Sequence, residues 1–233
     1  TPALQLEGSG IITPENTKQF YALQAEALFE AMVHSGWTKG MEILSVLIPT
    51  VRSAEELAEI KDEVDKAARK HGFITDSGER RFKFGATIET KEAVKPETTA
   101  AIARLCDFVS FGTNDLTKDI TALERKDLDS ETQAKCREWM ADNHYESLGD
   151  SPFKVLVPPV TRAMQTAILA MRAAKPEIEI GCCGAQVAGN PASIEACMEM
   201  GLNNISVPAH DVVGSRIIAM HYAAKNKAIW KAI

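Results

Sequence analysis

The sequence predicts an α/β fold of the (β/α)8 barrel type, in which parallel strands alternate with helices. Short apolar runs alternate with longer segments whose apolar residues recur at helical spacing, which favours a parallel sheet with helical crossovers. Several runs end in polar side chains, as at Glu89 and Asp115, and the carboxyl ends of the strands of a barrel meet at one mouth. About six strand signals are present, fewer than the eight of a complete barrel, so the first units are expected before Thr1.

The first half of the chain alternates regularly between the two kinds of signal. Ser53 is expected to cap the second helix, because acidic residues follow it in the first turn, and Pro96 is expected in the first turn of the third. The predicted elements are, in order, a strand ending at Leu4 and Leu6, a helix over 15–35, a strand over 43–49, a helix over 53–70, a strand over 82–88, a helix over 94–105 and a strand over 109–111.

The second half contains a long polar segment over 117–151, with a helix predicted around 131–141. Such an excursion from the mouth commonly carries substrate contacts. Pro158 and Pro159 are expected to delay the next helix to about Thr161, because proline is excluded from a helix interior. The remaining predicted elements are a helix over 161–174, a strand over 178–182, a helix over 191–200, a strand over 205–207 and a helix from about 212.

The composition predicts one soluble domain over residues 1–233. Apolar residues make up 45% of the 233 positions and charged residues 25%, and the net charge of -6 gives no reason to expect nucleic acid or an anionic membrane as a partner. The chain has neither a long uncharged apolar run nor a signal sequence at its start, so a cytoplasmic protein is expected. Its five cysteines include no CxxC pair, which favours reduced thiols.

Three side chains carry the chemistry that the residues suggest by themselves. The carboxylates of Glu89 and Asp115 are hard oxygen ligands that suit Mg²⁺, although carboxylates at loop edges also cap helices or pair with lysines. Cys183 is either an inert buried thiol or a group that exchanges protons near neutral pH. Cys182 and Cys183 point to opposite sides of an extended strand, and only Cys183 precedes a glycine, so Cys183 is expected to face the mouth.

Two further polar residues have alternative interpretations. Asn114 either bonds the backbone at a turn, which is a frequent use of asparagine, or donates its amide to a ligand. Arg52 is either a solvated residue at a helix start or a binding residue, since its planar fork fits a phosphate or a carboxylate.

The order and spacing of these motifs resemble a known family. The segment from Asp107 to Thr117, preceded by Ile88-Glu89 and followed much later by Cys183-Gly184, resembles the C-terminal domain of the phosphoenolpyruvate-utilising enzymes, which include pyruvate phosphate dikinase, phosphoenolpyruvate synthase and Enzyme I of the sugar phosphotransferase system. The strand that ends at Arg52 resembles that of the synthases. The resemblance covers nearly the whole chain, and it implies that the chain is the C-terminal part of a longer protein.

The resemblance also implies a function for each candidate residue. It implies Mg²⁺-dependent binding of phosphoenolpyruvate or pyruvate, and phosphoryl transfer between the pyruvate enolate and a phosphohistidine on another domain or chain. The family's barrel domain often makes a dimer contact, so a homodimer is expected as well. The implied site consists of Glu89 and Asp115 as metal ligands, Cys183 as the acid/base, and Arg52, Asn114, Thr113 and Gly112 at the substrate.

The sequence departs from the family pattern at the end of the predicted first strand. Glu7-Gly8 stands where the family usually has Arg-Gly, and a carboxylate there would repel an anionic phosphate. None of the histidines lies in the Thr-Ser-His setting of the family's phosphate carrier. Two alternatives therefore stay open: a noncatalytic ligand-binding or assembly module of the same fold, and another enzyme of pyruvate enolate chemistry such as a carbon–carbon lyase.

Overall fold

The computed structural model describes residues 14–36, 44–124 and 129–226. Over these residues, five strands form one sheet in which every neighbouring pair is parallel and the spatial order follows the order of the chain. The chain therefore passes from each strand to the next one in the sheet through a helical crossover. The predicted parallel α/β architecture is confirmed, with the sheet and helices of a partial (β/α) barrel.

The strands of this sheet are β1 (Leu44–Ile48), β2 (Phe82–Ile88), β3 (Phe108–Gly112), β4 (Glu179–Cys183) and β5 (Asn204–Ser206). The helices of the described residues are α1 (Pro14–His34), α2 (Ala54–Lys70), α3 (Pro96–Leu105), α4 (Thr113–Thr121), α5 (Ser130–Asp142), α6 (Pro158–Ala174), α7 (Pro191–Glu199) and α8 (Val212–Lys225). None of these helices combines the length and the apolar character that a membrane span needs. The strand predicted to end at Leu4 and Leu6 lies outside the described residues.

Most helix starts follow the chemistry of the first turn. The backbone N–H of Glu56 donates to Ser53 Oγ at 3.1 Å, so Ser53 caps α2 as predicted, and Pro96 occupies the first turn of α3. The predicted start of α6 at Thr161 is wrong, because the helix begins at Pro158. A proline in the first turn loses no intrahelical hydrogen bond and already has a helical φ, so the two prolines begin this helix.

One face of the sheet packs against helices. Alternate residues of β2, namely Phe82, Phe84, Ala86 and Ile88, are buried there, and Phe29 of α1 lies with its ring centroid 5.2 Å from that of Phe82. Burial of a side chain of this size stabilises the fold by about 1.5–3 kcal/mol, so this layer supplies much of the driving force for folding. The helix-covered face therefore forms the hydrophobic core of the described residues.

The opposite face of the sheet combines glycines with large neighbouring side chains. Gly85 of β2 pairs in register with Phe108 of β3, and Gly181 of β4 pairs with Asn204 of β5. A Cβ atom at either glycine would overlap the side chain of its partner residue. Each large side chain thus lies across the neighbouring strand, which only a glycine at the paired position permits.

Candidate functional site

Glu89 follows directly after β2, and its carboxylate is held on one side. The backbone N–H and the hydroxyl of Thr50 both donate to Glu89 Oε1, at 2.7 and 3.1 Å. The other oxygen, Oε2, lies over Gly112, where a Cβ atom would overlap it. Within the described residues Glu89 has no ion pair, and its half-buried carboxylate therefore lacks a basic partner.

The charge state of Glu89 reflects this environment. Burial raises the pKa of the Glu89 carboxyl, and the charge of Asp115 raises it further, whereas the hydrogen bonds from Thr50 lower it. Two carboxylates of which one is desolvated are an unfavourable arrangement unless one of them is protonated or a cation is bound. The arrangement is therefore chemically suited to a bound cation.

The prediction that Asp115 ends a strand is wrong, because Asp115 lies in the first turn of α4. This helix begins at Thr113, immediately after β3 ends at Gly112. The side chain of Asp115 is exposed, and the positive end of the helix dipole favours a negative charge at this position. Glu89 follows a strand and Asp115 lies in a helix, but the charges of both carboxylates raise the pKa of the Cys183 thiol, and the charge of Asp115 also raises the pKa of Glu89.

The vicinal cysteines point to opposite sides of β4. Cys182 is fully buried, and its sulfur lies 3.6 Å from that of Cys197 in α7. Cys183 is half-buried and pairs in register with Gly112. Burial raises the pKa of the Cys183 thiol, and the charges of Glu89 and Asp115 raise it as well, while a hydrogen bond with Ser110 lowers it. Cys183 therefore lies on the face of the sheet where Glu89 Oε2 lies over Gly112, and its thiol is within electrostatic range of both carboxylates.

Thr113 and Asn114 connect α4 to the loop that follows β4. The Thr113 hydroxyl lies within hydrogen-bonding distance of two acceptors, the carbonyl of Cys183 at 3.0 Å and Gln186 Oε1 at 2.8 Å. Asn114 Oδ1 accepts a hydrogen bond from the backbone N–H of Ala185 at 2.9 Å. The hydroxyl of Thr113 and the side-chain oxygen of Asn114 thus form hydrogen bonds within the fold. Among the described residues, the side-chain nitrogen Nδ2 of Asn114 has no hydrogen-bond partner.

Gln186 is a residue of this region whose importance sequence reasoning missed. It is completely buried, and its amide nitrogen donates towards the Thr113 carbonyl, Thr117 Oγ1 and the Pro152 carbonyl at 3.0–3.3 Å. A buried amide needs such partners, since leaving it unpaired costs about 1–3 kcal/mol. Gln186 therefore fixes the cysteine loop against α4 and against the segment before α6.

Arg52 follows two residues after Thr50, the residue that contacts Glu89. It is exposed and precedes the cap of α2 by one residue, and its backbone N–H donates to Glu56 Oε2 at 2.9 Å. Its guanidinium has no ion pair among the described residues. Glu7, the residue that departs from the family pattern, lies outside the described residues.

The donor set is compatible with a magnesium ion. The acidic side chains of this site are Glu89 and Asp115, and in the described part of the chain no cluster of three or more His, Cys, Asp or Glu side chains is arranged to hold a metal. Mg²⁺ is commonly bound through one or two carboxylates, with water and substrate oxygens completing its shell. The pair therefore fits Mg²⁺ better than a metal that requires a complete protein cage.

The domain belongs to the parallel α/β class, with acidic groups and a thiol at the carboxyl end of its sheet. Residues 5–224 match the family described as PEP-utilising enzyme, PEP-binding domain, and the chain belongs to this family. The chain is similar to pyruvate, phosphate dikinases: it is 32% identical to that of Clostridium symbiosum over 88% of this chain, and 31% identical to that of Treponema pallidum over 83%. The matched part is 22% of the length of each relative.

The two vicinal thiols are expected to differ in reactivity. Iodoacetamide should modify Cys183 well before Cys182, because Cys183 is half-buried at an open face and Cys182 is enclosed against Cys197. Mg²⁺ together with oxalate, which resembles pyruvate enolate, should protect Cys183. Peptide mass spectrometry over time measures both rates in one sample. Faster modification of Cys182, or protection of Cys182 alone, would contradict this assignment.

Proposed function

We propose that this domain binds phosphoenolpyruvate and pyruvate together with Mg²⁺, and that in the whole protein it takes part in phosphoryl transfer of the pyruvate phosphate dikinase type. One observation carries the proposal: the half-buried Glu89 carboxylate, which has no basic partner in the described residues, lies near Asp115 and Cys183. Membership of the PEP-binding family and the names of the relatives support the same ligand class.

In this proposal, Glu89 and Asp115 hold the metal. When bound, Mg²⁺ would supply positive charge beside the carboxylate and keto oxygens of pyruvate, which makes the methyl protons more acidic. The chain's own contribution is to fix the two carboxylates before the ligand arrives, because a preorganised charge needs no rearrangement during the reaction. Thr50 and the first turn of α4 serve this purpose.

Cys183 is the proposed group that moves the proton at the methyl carbon. Since burial and the nearby carboxylates raise the pKa of its thiol, Cys183 is protonated at neutral pH. A protonated thiol is the correct form to donate a proton to the enolate carbon as pyruvate is formed. In the reverse direction, the thiolate of the same side chain would take up the methyl proton, so that one residue serves both directions.

The remaining proposed contacts serve the anionic ends of the substrate. The exposed guanidinium of Arg52 and the amide nitrogen of Asn114 are donors for a carboxylate or phosphoryl oxygen. Because the hydroxyl of Thr113 is engaged with Cys183 and Gln186, Thr113 and Gly112 would act through the backbone where α4 begins. The phosphoryl group would come from a phosphohistidine on another domain or chain, and a homodimer through the barrel remains a proposal.

The decisive test is proton exchange at pyruvate. We expect the chain to bring deuterium from solvent into the methyl group in the presence of Mg²⁺, measured by proton NMR, and EDTA to abolish the exchange. Glu7→Arg restores the charge that the family usually has there, and it should increase the rate. Net phosphoryl transfer is not expected from this chain without a phosphohistidine. Absence of exchange in both the unmodified chain and Glu7→Arg would favour a noncatalytic binding module.

A further inference from the structure

The loop after β1 contains an unusual backbone conformation. Thr50 has a φ of +55°, in the left-handed region that a β-branched residue rarely adopts. The other non-glycine residues of the described chain with a positive φ are Ala122 and His144, which lie at the ends of α4 and α5. That conformation is common at helix ends, but Thr50 follows a strand, so helix termination does not explain it.

The neighbouring residues hold this loop in place. The hydroxyl of Tyr21 in α1 lies 3.4 Å from the carbonyl of Pro49, directly before Thr50. Two residues after Thr50, the backbone N–H of Arg52 donates to the carboxylate of Glu56. The chain is therefore anchored on both sides of the strained residue, which allows the surrounding structure to maintain a conformation that threonine alone would avoid.

The conformation of Thr50 directs two donors at one atom. Its backbone N–H and its hydroxyl both donate to Glu89 Oε1, 39 residues further along the chain, at 2.7 and 3.1 Å. Oε1 is thereby engaged twice, and Oε2 lies over Gly112, next to the start of α4. Hydrogen bonds to one carboxylate oxygen fix the plane of the group and leave the second oxygen to a ligand.

We propose that Thr50 is a positioning residue, which orients Glu89 so that Oε2 is presented to the divalent cation of the proposed function. The inference rests on that function, and it concerns a residue to which the motif resemblance assigned no role. Thr50 does not itself contact the reacting atoms in this scheme. Its effect is exerted through the carboxylate, so it should change metal affinity rather than the stability of the fold.

Three substitutions separate orientation from simple packing. Thr50→Val keeps the β-branched shape and removes the hydroxyl, whereas Thr50→Ser keeps the hydroxyl. Thr50→Gly removes the hydroxyl and also relieves the unfavourable backbone conformation. Binding of Mn²⁺ in the presence of oxalate is measured by electron paramagnetic resonance of the free ion, and urea unfolding is followed for each variant.

We expect Thr50→Val and Thr50→Gly to weaken Mn²⁺ binding by about 10-fold, in the range of effects of groups that orient metal ligands. Thr50→Ser should bind Mn²⁺ within about 3-fold of the unmodified chain, because it retains both donors. If Thr50→Val fails to fold, Thr50→Gly decides the question, since glycine adopts the backbone conformation without strain.

The outcomes distinguish this inference from the function on which it rests. Equal Mn²⁺ affinity in the unmodified chain and in folded Thr50→Gly would overturn the positioning role and leave the metal site intact. The positioning role would also be overturned if the loss of Mn²⁺ affinity in each variant paralleled its loss of unfolding free energy and was equally large in Thr50→Ser. An unmodified chain that binds no Mn²⁺ in the presence of oxalate would overturn the proposed function and the positioning role together.

Discussion

Glu89→Gln and Asp115→Asn should each weaken Mn²⁺ binding by about 100-fold or more, because each removes one of the two charged oxygen ligands proposed for the ion. Glu89→Gln should not destabilise the fold at neutral pH. Burial raises the pKa of the Glu89 carboxyl in the folded state, so at a pH above that pKa its charge lowers the stability of the folded state relative to the unfolded state. A neutral amide of the same shape avoids that cost. Electron paramagnetic resonance gives the affinity, and urea unfolding gives the stability.

The matched control for this pair is Glu92→Gln. Glu92 lies three residues after Glu89, is exposed and forms a surface ion pair with Lys95, so its loss should change neither Mn²⁺ affinity nor stability appreciably. An unchanged affinity in Glu89→Gln would place the cation elsewhere. An equal loss in Glu92→Gln would show that general negative charge, rather than the proposed pair, determines binding.

Cys183→Ala should slow deuterium entry into the pyruvate methyl group by about 100-fold or more, since a positioned acid or base contributes typically 10²–10⁴-fold to proton transfer. Mn²⁺ affinity should remain unchanged, because the thiol is not one of the proposed metal ligands. The separation between exchange and binding is the essential result, and it is obtained by combining NMR with electron paramagnetic resonance on the same preparation.

Cys182→Ala serves as the control for this second substitution. It removes a buried sulfur that contacts Cys197, so it should reduce the free energy of unfolding by about 1 kcal/mol while exchange continues. Loss of exchange in the folded Cys182→Ala variant, together with normal exchange in Cys183→Ala, would show that Cys182 and not Cys183 transfers the proton. The proposed assignment would then be wrong. Normal exchange in both variants would show that neither of these two thiols is required for the reaction.

The central strands were predictable because they contain apolar residues that are buried against helices. The predicted strand over 82–88 coincides with β2, and the expected parallel order followed from the alternation of strand and helix signals. The polar start of α4 gave no such signal: its Thr113 is buried through hydrogen bonds to distant residues rather than through apolar contacts. The start of α6 was misplaced because a proline breaks a helix interior but is suited to a first turn.

The site was predictable only where it depends on the ends of elements. The alternation of side chains along a strand predicts that Cys182 and Cys183 point to opposite sides, and Cys182 is buried whereas Cys183 is half-buried. Thr50 and Gln186 could not be found in this way. Thr50 contacts a residue 39 positions away, and Gln186 contacts Thr113 across 73 positions, so both residues are positioned by tertiary contacts that no local pattern encodes.

The glycines on the open face of the sheet affect how sequence variation in this domain should be interpreted. Gly85, Gly112 and Gly181 each lie beneath a side chain from a neighbouring strand or its end, so any larger residue must displace that neighbour. All three positions will tolerate few substitutions, but only Gly112 adjoins the candidate site. Strong purifying selection at Gly85 and Gly181 would therefore record a steric requirement between strands, and two positions would have to change together before either glycine could be lost.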